Sequence, residues 1–198
     1  MNYQPSHLVF LIGTAFYLAI RAAFQIRFAS QDKPVCKTDA LDRLLVVLVG
    51  TGQVVLPCIY LFSPWLNWAD YALPQGLIWV ATPVMAGALW LFWRSHTDLG
   101  NCWSVILELN RDHRLVTQGV YRFIRHPMYA SFFGLALGQA MLLNNWLAGW
   151  SGLTAITLLY AVRIPHEEQM MLESFGDEYR AYMRRTGGII PRRQSIHN

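Results

Sequence analysis

Ionisable side chains of the kinds used in binding and catalysis gather in two short stretches of the sequence. The first is LVTQGVYRFIRHPMYA, residues 115–130, and the second is RIPHEEQMMLESFGDEY, residues 163–179. Together they hold the following charged or titratable groups: Arg122, Arg125, His126, Arg163, His166, Glu167 and Glu168. Guanidinium groups bind anions, and imidazole and carboxylate groups bind or transfer protons. Both stretches border long apolar runs, and ionisable groups that converge beside membrane-spanning helices usually mark a binding site.

The composition predicts an integral membrane protein. Of the 198 residues, 54% are hydrophobic and 14% are charged, whereas soluble domains carry roughly 25% charged residues. The chain also has eight Trp and nine Tyr, whose rings favour membrane–water interfaces. The net charge of +4 comes from residues that flank apolar runs, so we expect no nucleic-acid partner. Because the three cysteines form no CxxC pair, we expect neither a metal site nor a disulfide framework.

The apolar runs predict the architecture, an all-α fold in which five transmembrane helices form one membrane domain, residues 1–198. The predicted spans are residues 8–28, 44–62, 77–93, 128–143 and 146–162. Three spans occupy residues 1–93, and the part that holds both charged stretches, residues 94–198, contains a helical hairpin at 128–162 followed by cytosolic C-terminal helices. Pro165 predicts a helix start or a kink just beyond the last span.

The distribution of Lys and Arg predicts the orientation in the membrane. Outside the predicted spans, these residues occur in the intervals 29–43 and 94–125 and after residue 162, and none occurs in residues 1–7, 63–76 or 144–145. By the positive-inside rule, the N-terminus is expected outside, with the C-terminus and the candidate site on the cytoplasmic side. A hairpin that spans the membrane twice returns to the side where it began, which predicts that Arg125-His126-Pro127 and Arg163 lie close together.

Two of the candidate residues allow a functional and a structural interpretation. Arg163 either holds an anionic substrate group, with Glu168 fixing its orientation, or extends to the membrane surface and forms an ion pair there. His126 precedes Pro127, which suits the first turn of a helix, so its ring and the free N–H groups nearby are placed to meet a ligand. The alternative is an interfacial or capping histidine. Tyr129 lies on the same helix face as His126.

Taken together, GVYRFIRHPMYA, the hairpin and RIPHEEQMMLESFGDEYRAYMRR resemble the isoprenylcysteine carboxyl methyltransferase family, including its small prokaryotic members. The resemblance covers residues 97–191 and implies an S-adenosylmethionine cofactor held on the cytosolic side. It implies catalytic roles for Arg163 and Glu168. It also implies a cofactor pocket formed by His113, Leu115, Val116, Gly119, Tyr121, His126, Pro127, Tyr129 and Glu167, with no metal.

The resemblance therefore predicts methyl transfer at the cytoplasmic membrane face to a lipophilic acceptor, for example a carboxylate on an isoprenylcysteine-like C-terminus. The expected partners are a lipophilic or lipidated substrate and the membrane lipids. A carboxylate is already ionised near pH 7 and needs no base, whereas an amine or thiol acceptor would need one, with Glu168, His126 or Tyr129 as candidates. The alternatives are an NADPH-dependent membrane reductase of the sterol-reductase type and a non-enzymatic membrane scaffold.

Overall fold

The computed structural model describes residues 4–27, 40–74, 76–100 and 115–192, and the elements in these ranges are helical. The α-helices and the π-helix are, in order, α1, Pro5–Arg27; α2, Ala40–Gly50; a π-helix, Thr51–Val55; α3, Leu56–Phe62; α4, Leu77–Leu99; α5, Pro127–Leu142; and α6, Trp146–Arg185. Two short 3-10 helices cover Asn67–Ala69 and Gly119–Arg122. The all-α class predicted from the sequence is confirmed.

Helix length and composition agree with an integral membrane protein. Within the described ranges, four helical stretches are long and apolar enough to cross a membrane: Pro5–Arg27, Ala40–Phe62, Leu77–Leu99 and Trp146–Arg185. Helix α5 is the remaining predicted span, and with 16 residues it is shorter than the others. The membrane class is confirmed by this pattern, whereas the number of five spans stays a prediction.

Helix α5 lies at the centre of the bundle, which explains how a short helix is accommodated. One face, at Leu135, belongs to a core cluster with Phe10 of α1 and with buried residues of α4. A second face, at Ala136, packs with Leu45 of α2 and Ile156 of α6. A helix that is apolar all round is stable when neighbours cover it on every side. The ends of α5 are therefore fixed relative to both halves of the chain.

The outer surface of the bundle is strongly apolar. Trp79 is 82% exposed and Trp68 is 77% exposed, and Phe16 also points outward. Exposed apolar surface of this extent is typical of a face that contacts lipid or another apolar partner. The outer surface thus agrees with the membrane class inferred from the composition.

The second predicted span is continuous but irregular. It runs from Ala40 to Phe62 and changes to π-helical geometry at Thr51–Val55, just before Pro57. Two side chains from other helices donate to the carbonyl of Gly52: Gln139 through Nε2 and Ser151 through Oγ, each at 2.8 Å. A π-helical turn changes the hydrogen bonding along a helix. Buried donors from neighbouring helices satisfy the carbonyl groups that the change affects.

Helix α6 differs from the sequence prediction at its middle. The predicted helix start at Pro165 is not found, because α6 continues through this residue, whereas non-helical backbone falls at Gly176, with φ 51° and ψ −120°. Near Pro165, the ring of His166 hydrogen-bonds the carbonyl of Val162 at 2.8 Å. Glycine adopts a positive φ without the steric cost that a Cβ atom brings, so the chain bends at Gly176.

Candidate functional site

The candidate site forms where the start of α5 meets the middle of α6. His126 is the residue before α5 and Pro127 is the first residue within it, and no side chain caps this helix start. The preceding segment pairs with the chain beyond α6, because Arg125 N–H donates to Gly187 O at 2.9 Å and His126 N–H donates to Gly188 O at 3.1 Å. The chain that follows α6 therefore fixes the position of the Arg-His-Pro segment.

Glu168 accepts hydrogen bonds from two residues of that segment. Its Oε1 atom lies 3.0 Å from Arg125 Nε, 2.8 Å from Arg125 Nη2 and 3.1 Å from His126 Nε2. Arg125 also donates through Nη1 to Thr186 O at 2.7 Å. The hydrogen bond from His126, followed by the hydrogen bonds and charge of Arg125, lowers the pKa of Glu168 to about 2 although burial opposes this shift. Glu168 is consequently an ionised carboxylate held in one orientation.

Arg163 belongs to a second cluster beside the first. Its Nε atom lies 3.6 Å from Glu167 Oε1, one helical turn along α6, and 3.6 Å from Asp42 Oδ1 of α2. The arginine side chain is 12% exposed, and its buried Nε has no hydrogen-bond partner among the described residues. Tyr129 donates through Oη to Glu167 Oε1 at 2.5 Å. Arg163 is therefore a largely buried cation within ion-pair range of two carboxylates but without a hydrogen bond at Nε.

The pKa of Glu167 is shifted in the opposite direction to that of Glu168. Removal from water raises the pKa of Glu167, while the hydrogen bond from Tyr129 and the charge of Arg163 partly offset this effect. Two consecutive carboxyl groups therefore differ in proton affinity. Glu168 is the stronger acid, and Glu167 is the group of the pair that more readily holds a proton.

These contacts revise the predicted partner of Arg163. The sequence interpretation paired Arg163 with Glu168, but Glu168 contacts Arg125 and His126, and Glu167 is the residue next to Arg163. The reason is that α6 stays helical through Pro165, which preserves the i, i+4 relation between positions 163 and 167. The predicted proximity of the Arg-His-Pro segment to Arg163 agrees with this geometry, since Glu167 also lies 3.9 Å from His126 Nδ1.

The remaining predicted pocket residues have mixed surroundings. Gly119 has a φ of 59°, and a Cβ atom there would collide with the carboxylate of Asp98. Tyr121 is buried and donates to Ser95 O at 3.3 Å, so its hydroxyl group joins this segment to α4. Leu115 and Val116 are half-buried, and His113 lies outside the described residues.

Two residues near the cluster were absent from the predicted set. Arg125 sits directly before His126 in the sequence and was expected near Arg163, but it was given no binding or catalytic role. Asp42 lies 121 positions before Arg163 and was assigned to a polar interval between two spans. The available signal for Arg125 was its place in the same RHP motif, whereas no sequence pattern connected Asp42 to the site. No group of three metal-binding side chains occurs within the described ranges.

The fold and the site together define a class: an integral membrane protein of packed helices, with a partly buried charged cluster where α5 begins and α6 leaves its apolar stretch. Comparison with known proteins makes the class specific. A family model described as the isoprenylcysteine carboxyl methyltransferase family matches residues 79–173. The match includes every residue of the cluster except Asp42.

Individual relatives extend this match along the chain. Protein-S-isoprenylcysteine O-methyltransferase B of Arabidopsis thaliana is 31% identical over 186 residues, which cover 93% of this chain and 89% of the relative. The corresponding enzyme of Schizosaccharomyces pombe is 39% identical over 87 residues, 44% of this chain and 37% of the relative. A solved structure of the eukaryotic intramembrane Ras methyltransferase superposes with a TM-score of 0.56 at 27% identity, covering 91% of this chain and 62% of that one.

The chain belongs to the isoprenylcysteine carboxyl methyltransferase family. The Arabidopsis relative matches it over nearly its whole length, while the chain spans 37% of the fission yeast relative and 62% of the solved structure. The resemblance stated from the two sequence motifs is thereby confirmed.

Proposed function

We propose that this protein is an S-adenosylmethionine-dependent carboxyl methyltransferase that acts on a lipophilic acceptor with an isoprenylcysteine-like carboxylate. The observation that supports it most directly is Arg163, a largely buried guanidinium group whose Nε has no hydrogen-bond partner among the described residues. A buried donor is costly to leave unsatisfied, so a site that retains one is suited to a ligand that accepts its hydrogen bond. Family membership points to the same chemistry.

Arg163 is the proposed clamp for the acceptor carboxylate. Guanidinium groups bind carboxylates through paired N–H donors in a planar geometry, which fixes the direction of the carboxylate oxygens. A carboxylate is ionised near pH 7, so the protein needs to orient its oxygen and exclude water rather than remove a proton. The position of Arg163 at the end of the apolar part of α6 lets a carboxylate bind while its lipid chain remains in the bilayer.

The groups around Arg163 fit the proposed cofactor. S-adenosylmethionine carries a sulfonium and an ammonium cation together with one carboxylate, and it supplies an electrophilic methyl group whose bond to sulfur breaks as the acceptor oxygen bonds to carbon. Glu167 and Glu168 offer negative charge for the cations. The uncapped start of α5 offers free N–H groups for an anion. His126 and Tyr129 hold the two carboxylates in place.

In this proposal the cofactor enters from the cytoplasm and the acceptor enters from the membrane. The distribution of Lys and Arg supports a cytoplasmic C-terminus and site, with the N-terminus outside. The exposed apolar side chains of the bundle support contact with lipid. A lipidated or lipophilic acceptor is therefore the partner of the site, and methylation takes place at the boundary between the two phases.

Calorimetric titration of the detergent-purified protein tests the cofactor. S-adenosylhomocysteine is expected to bind saturably, whereas NADPH, the cofactor of the sterol-reductase alternative, is expected not to bind. His126→Ala should weaken S-adenosylhomocysteine binding by about tenfold or more, because the variant loses a hydrogen bond to an ionised group at the site. His166→Ala is the matched control, since His166 is exposed and its ring hydrogen-bonds the Val162 carbonyl of its own helix.

The outcomes distinguish the alternatives. Binding of NADPH without S-adenosylhomocysteine would replace the methyltransferase with the reductase. Binding of neither ligand to protein with helical circular dichroism and a cooperative melting transition would favour the scaffold. If both histidine variants weaken S-adenosylhomocysteine binding equally, His126 is not part of the proposed pocket. Turnover measurements would then decide whether the protein is a methyltransferase.

A further inference from the structure

Asp42 lies at the site although it belongs to a helix outside the two catalytic stretches. It occupies the first turn of α2, and its Oδ1 atom lies 3.6 Å from Arg163 Nε. The Asp42 side chain is 23% exposed, so solvent only partly screens this contact. The family model begins at residue 79, well after this position.

The two carboxylates that face Arg163 are held very differently. Glu167 is on the same helix as Arg163 and accepts a hydrogen bond from Tyr129. Asp42 reaches across from another helix, and among the described residues its side chain has the ion pair with Arg163 but no hydrogen bond. A distance of 3.6 Å is longer than the 2.7–2.9 Å typical of charge-assisted hydrogen bonds between cationic nitrogen and carboxylate oxygen. Of the two, Asp42 is the partner that is easier to displace.

We propose that Asp42 is the displaceable counter-ion of Arg163 and thereby limits how tightly the site binds an anionic acceptor. This inference rests on the proposed function, in which Arg163 binds the acceptor carboxylate. Without an acceptor, Asp42 balances a largely buried charge that is unfavourable when isolated. An entering carboxylate offers Arg163 direct hydrogen bonds and takes the place of Asp42. A neutral acceptor does not replace Asp42 at Arg163, so its binding does not depend on the charge of Asp42.

The same exchange distinguishes the product from the acceptor. During transfer, an acceptor oxygen bonds to the methyl carbon while the carbon–sulfur bond of the sulfonium breaks and sulfur retains the electron pair. No proton is released, and the charged carboxylate becomes a neutral ester. Arg163 then loses its anionic ligand, and Asp42 is again the nearby negative charge that replaces it. Asp42 acts through Arg163 and is a positioning residue that does not take part in the bond changes.

Asp42→Asn tests the role while keeping the shape of the side chain. The acceptor is an N-acetylcysteine with an isoprenyl chain on sulfur, compared with its neutral carboxamide. In the variant, the KM for the carboxylate should fall by about tenfold because a competing like charge is gone, with kcat within about twofold. Calorimetry on protein saturated with S-adenosylhomocysteine should show about tenfold tighter binding of the carboxylate and unchanged binding of the carboxamide.

Two further variants make the test specific. Asp42→Glu restores the charge and should return the carboxylate affinity towards the wild-type value. Asp177→Asn removes an exposed carboxylate that pairs with Arg180 and should change neither ligand's affinity. An unchanged or higher KM for the carboxylate in Asp42→Asn, or equal gains for carboxylate and carboxamide, would overturn the counter-ion role. Wild-type protein that methylates no carboxylate would instead refute the proposed function itself.

Discussion

The α5–α6 hairpin has a polar cluster at each end, and the two clusters use their hydrogen-bonding groups in opposite ways. At the turn, Asn145 is fully buried and accepts from the backbone N–H groups of Leu147 and Ala148 at 3.1 and 3.0 Å. Its amide nitrogen donates to Leu66 O at 2.6 Å and to Asp70 Oδ1 at 2.8 Å. At the other end, Arg163 has two carboxylates in range and a buried Nε without a hydrogen bond among the described residues.

The difference separates a cluster whose polar groups are used by the fold from the cluster that we propose binds the acceptor. Asn145 uses both donor hydrogens and its carbonyl oxygen within the protein, so no capacity remains for a ligand. Its neighbour Asn144 is similarly engaged, because its Oδ1 atom accepts from Tyr60 at 2.8 Å and lies 3.2 Å from His7 Nε2. Buried polar groups that are fully paired stabilise and specify a fold. Arg163 retains capacity that the fold leaves unused, which is what a binding group requires.

Substitution of Arg163 should give the largest effect on activity. Arg163→Ala removes the proposed carboxylate clamp, and methyl transfer should fall by about a hundredfold or more, as expected when a positioned charge is lost from an active site. S-adenosylhomocysteine binding should stay within about threefold of the wild-type value. Turnover of the isoprenylated N-acetylcysteine and calorimetry measure the two quantities.

The matched control for this variant is Arg180→Ala, which removes an exposed arginine from the same helix. It should leave turnover within about twofold, since exposed ion pairs contribute little. Full retained activity in Arg163→Ala would remove the clamp role. Loss of activity together with a large drop in melting temperature would place Arg163 with Asn145 among the structural residues.

The opposite pattern is expected at the turn. Asn145→Ala deletes the cap of α6 and leaves the partners at Leu66 and Asp70 without their donor, which should lower the free energy of unfolding by about 3 kcal/mol. The acceptor KM of the protein that remains folded should not change. Melting temperature and steady-state kinetics on the same preparation separate the two effects.

Asn67→Ala is the control here, because Asn67 is an exposed residue of the short helix beside the turn. It should change the melting temperature by less than about 2 °C, as surface substitutions usually do. A stable Asn145→Ala variant with an altered acceptor KM would contradict the division between the two ends.

The smallest effect concerns pH at the charged end. The folded-state pKa of Glu168 lies near 2, below its ordinary value, so the stability it contributes is present above the ordinary value and is lost as pH falls towards 2. The difference in melting temperature between wild type and Glu168→Gln should therefore stay constant, within about 1 °C, from pH 7 to about 5, and shrink at lower pH. If the difference in melting temperature between the two proteins already shrinks near pH 6, the lowered pKa of Glu168 is contradicted.

Much of the helical layout was predictable because apolar runs determine where helices can cross a membrane. The predicted run 128–143 corresponds to Pro127–Leu142, and the run 77–93 corresponds to the first part of Leu77–Leu99. The continuation of α6 through Pro165 was not predictable from the local sequence, since proline usually interrupts a helix and tertiary contacts decided otherwise. The same continuation places Glu167 one helical turn from Arg163.

The candidate site was predictable only where its residues are close in sequence. The RHP motif and the two glutamates lie in short recognisable stretches, so their meeting followed from the hairpin geometry. Asp42 approaches Arg163 because α2 packs beside α6, and a contact between positions 121 apart leaves no periodicity to detect. Arg125 was visible as a charge, but its hydrogen bonds to Glu168 and to Thr186 depend on how the chain folds back after α6.

The π-helix at Thr51–Val55 carries a consequence for how the sequence tolerates length changes. One residue in an α-helix accounts for a rotation of about 100° and a rise of about 1.5 Å. Deleting a residue from the α-helical part before this turn would therefore rotate the start of α2 by that angle and move Asp42 away from Arg163. The wider spacing of the π-helix, in contrast, accommodates one more residue within a turn. Thr51–Val55 is thus where this helix changes length at the smallest cost to the position of Asp42.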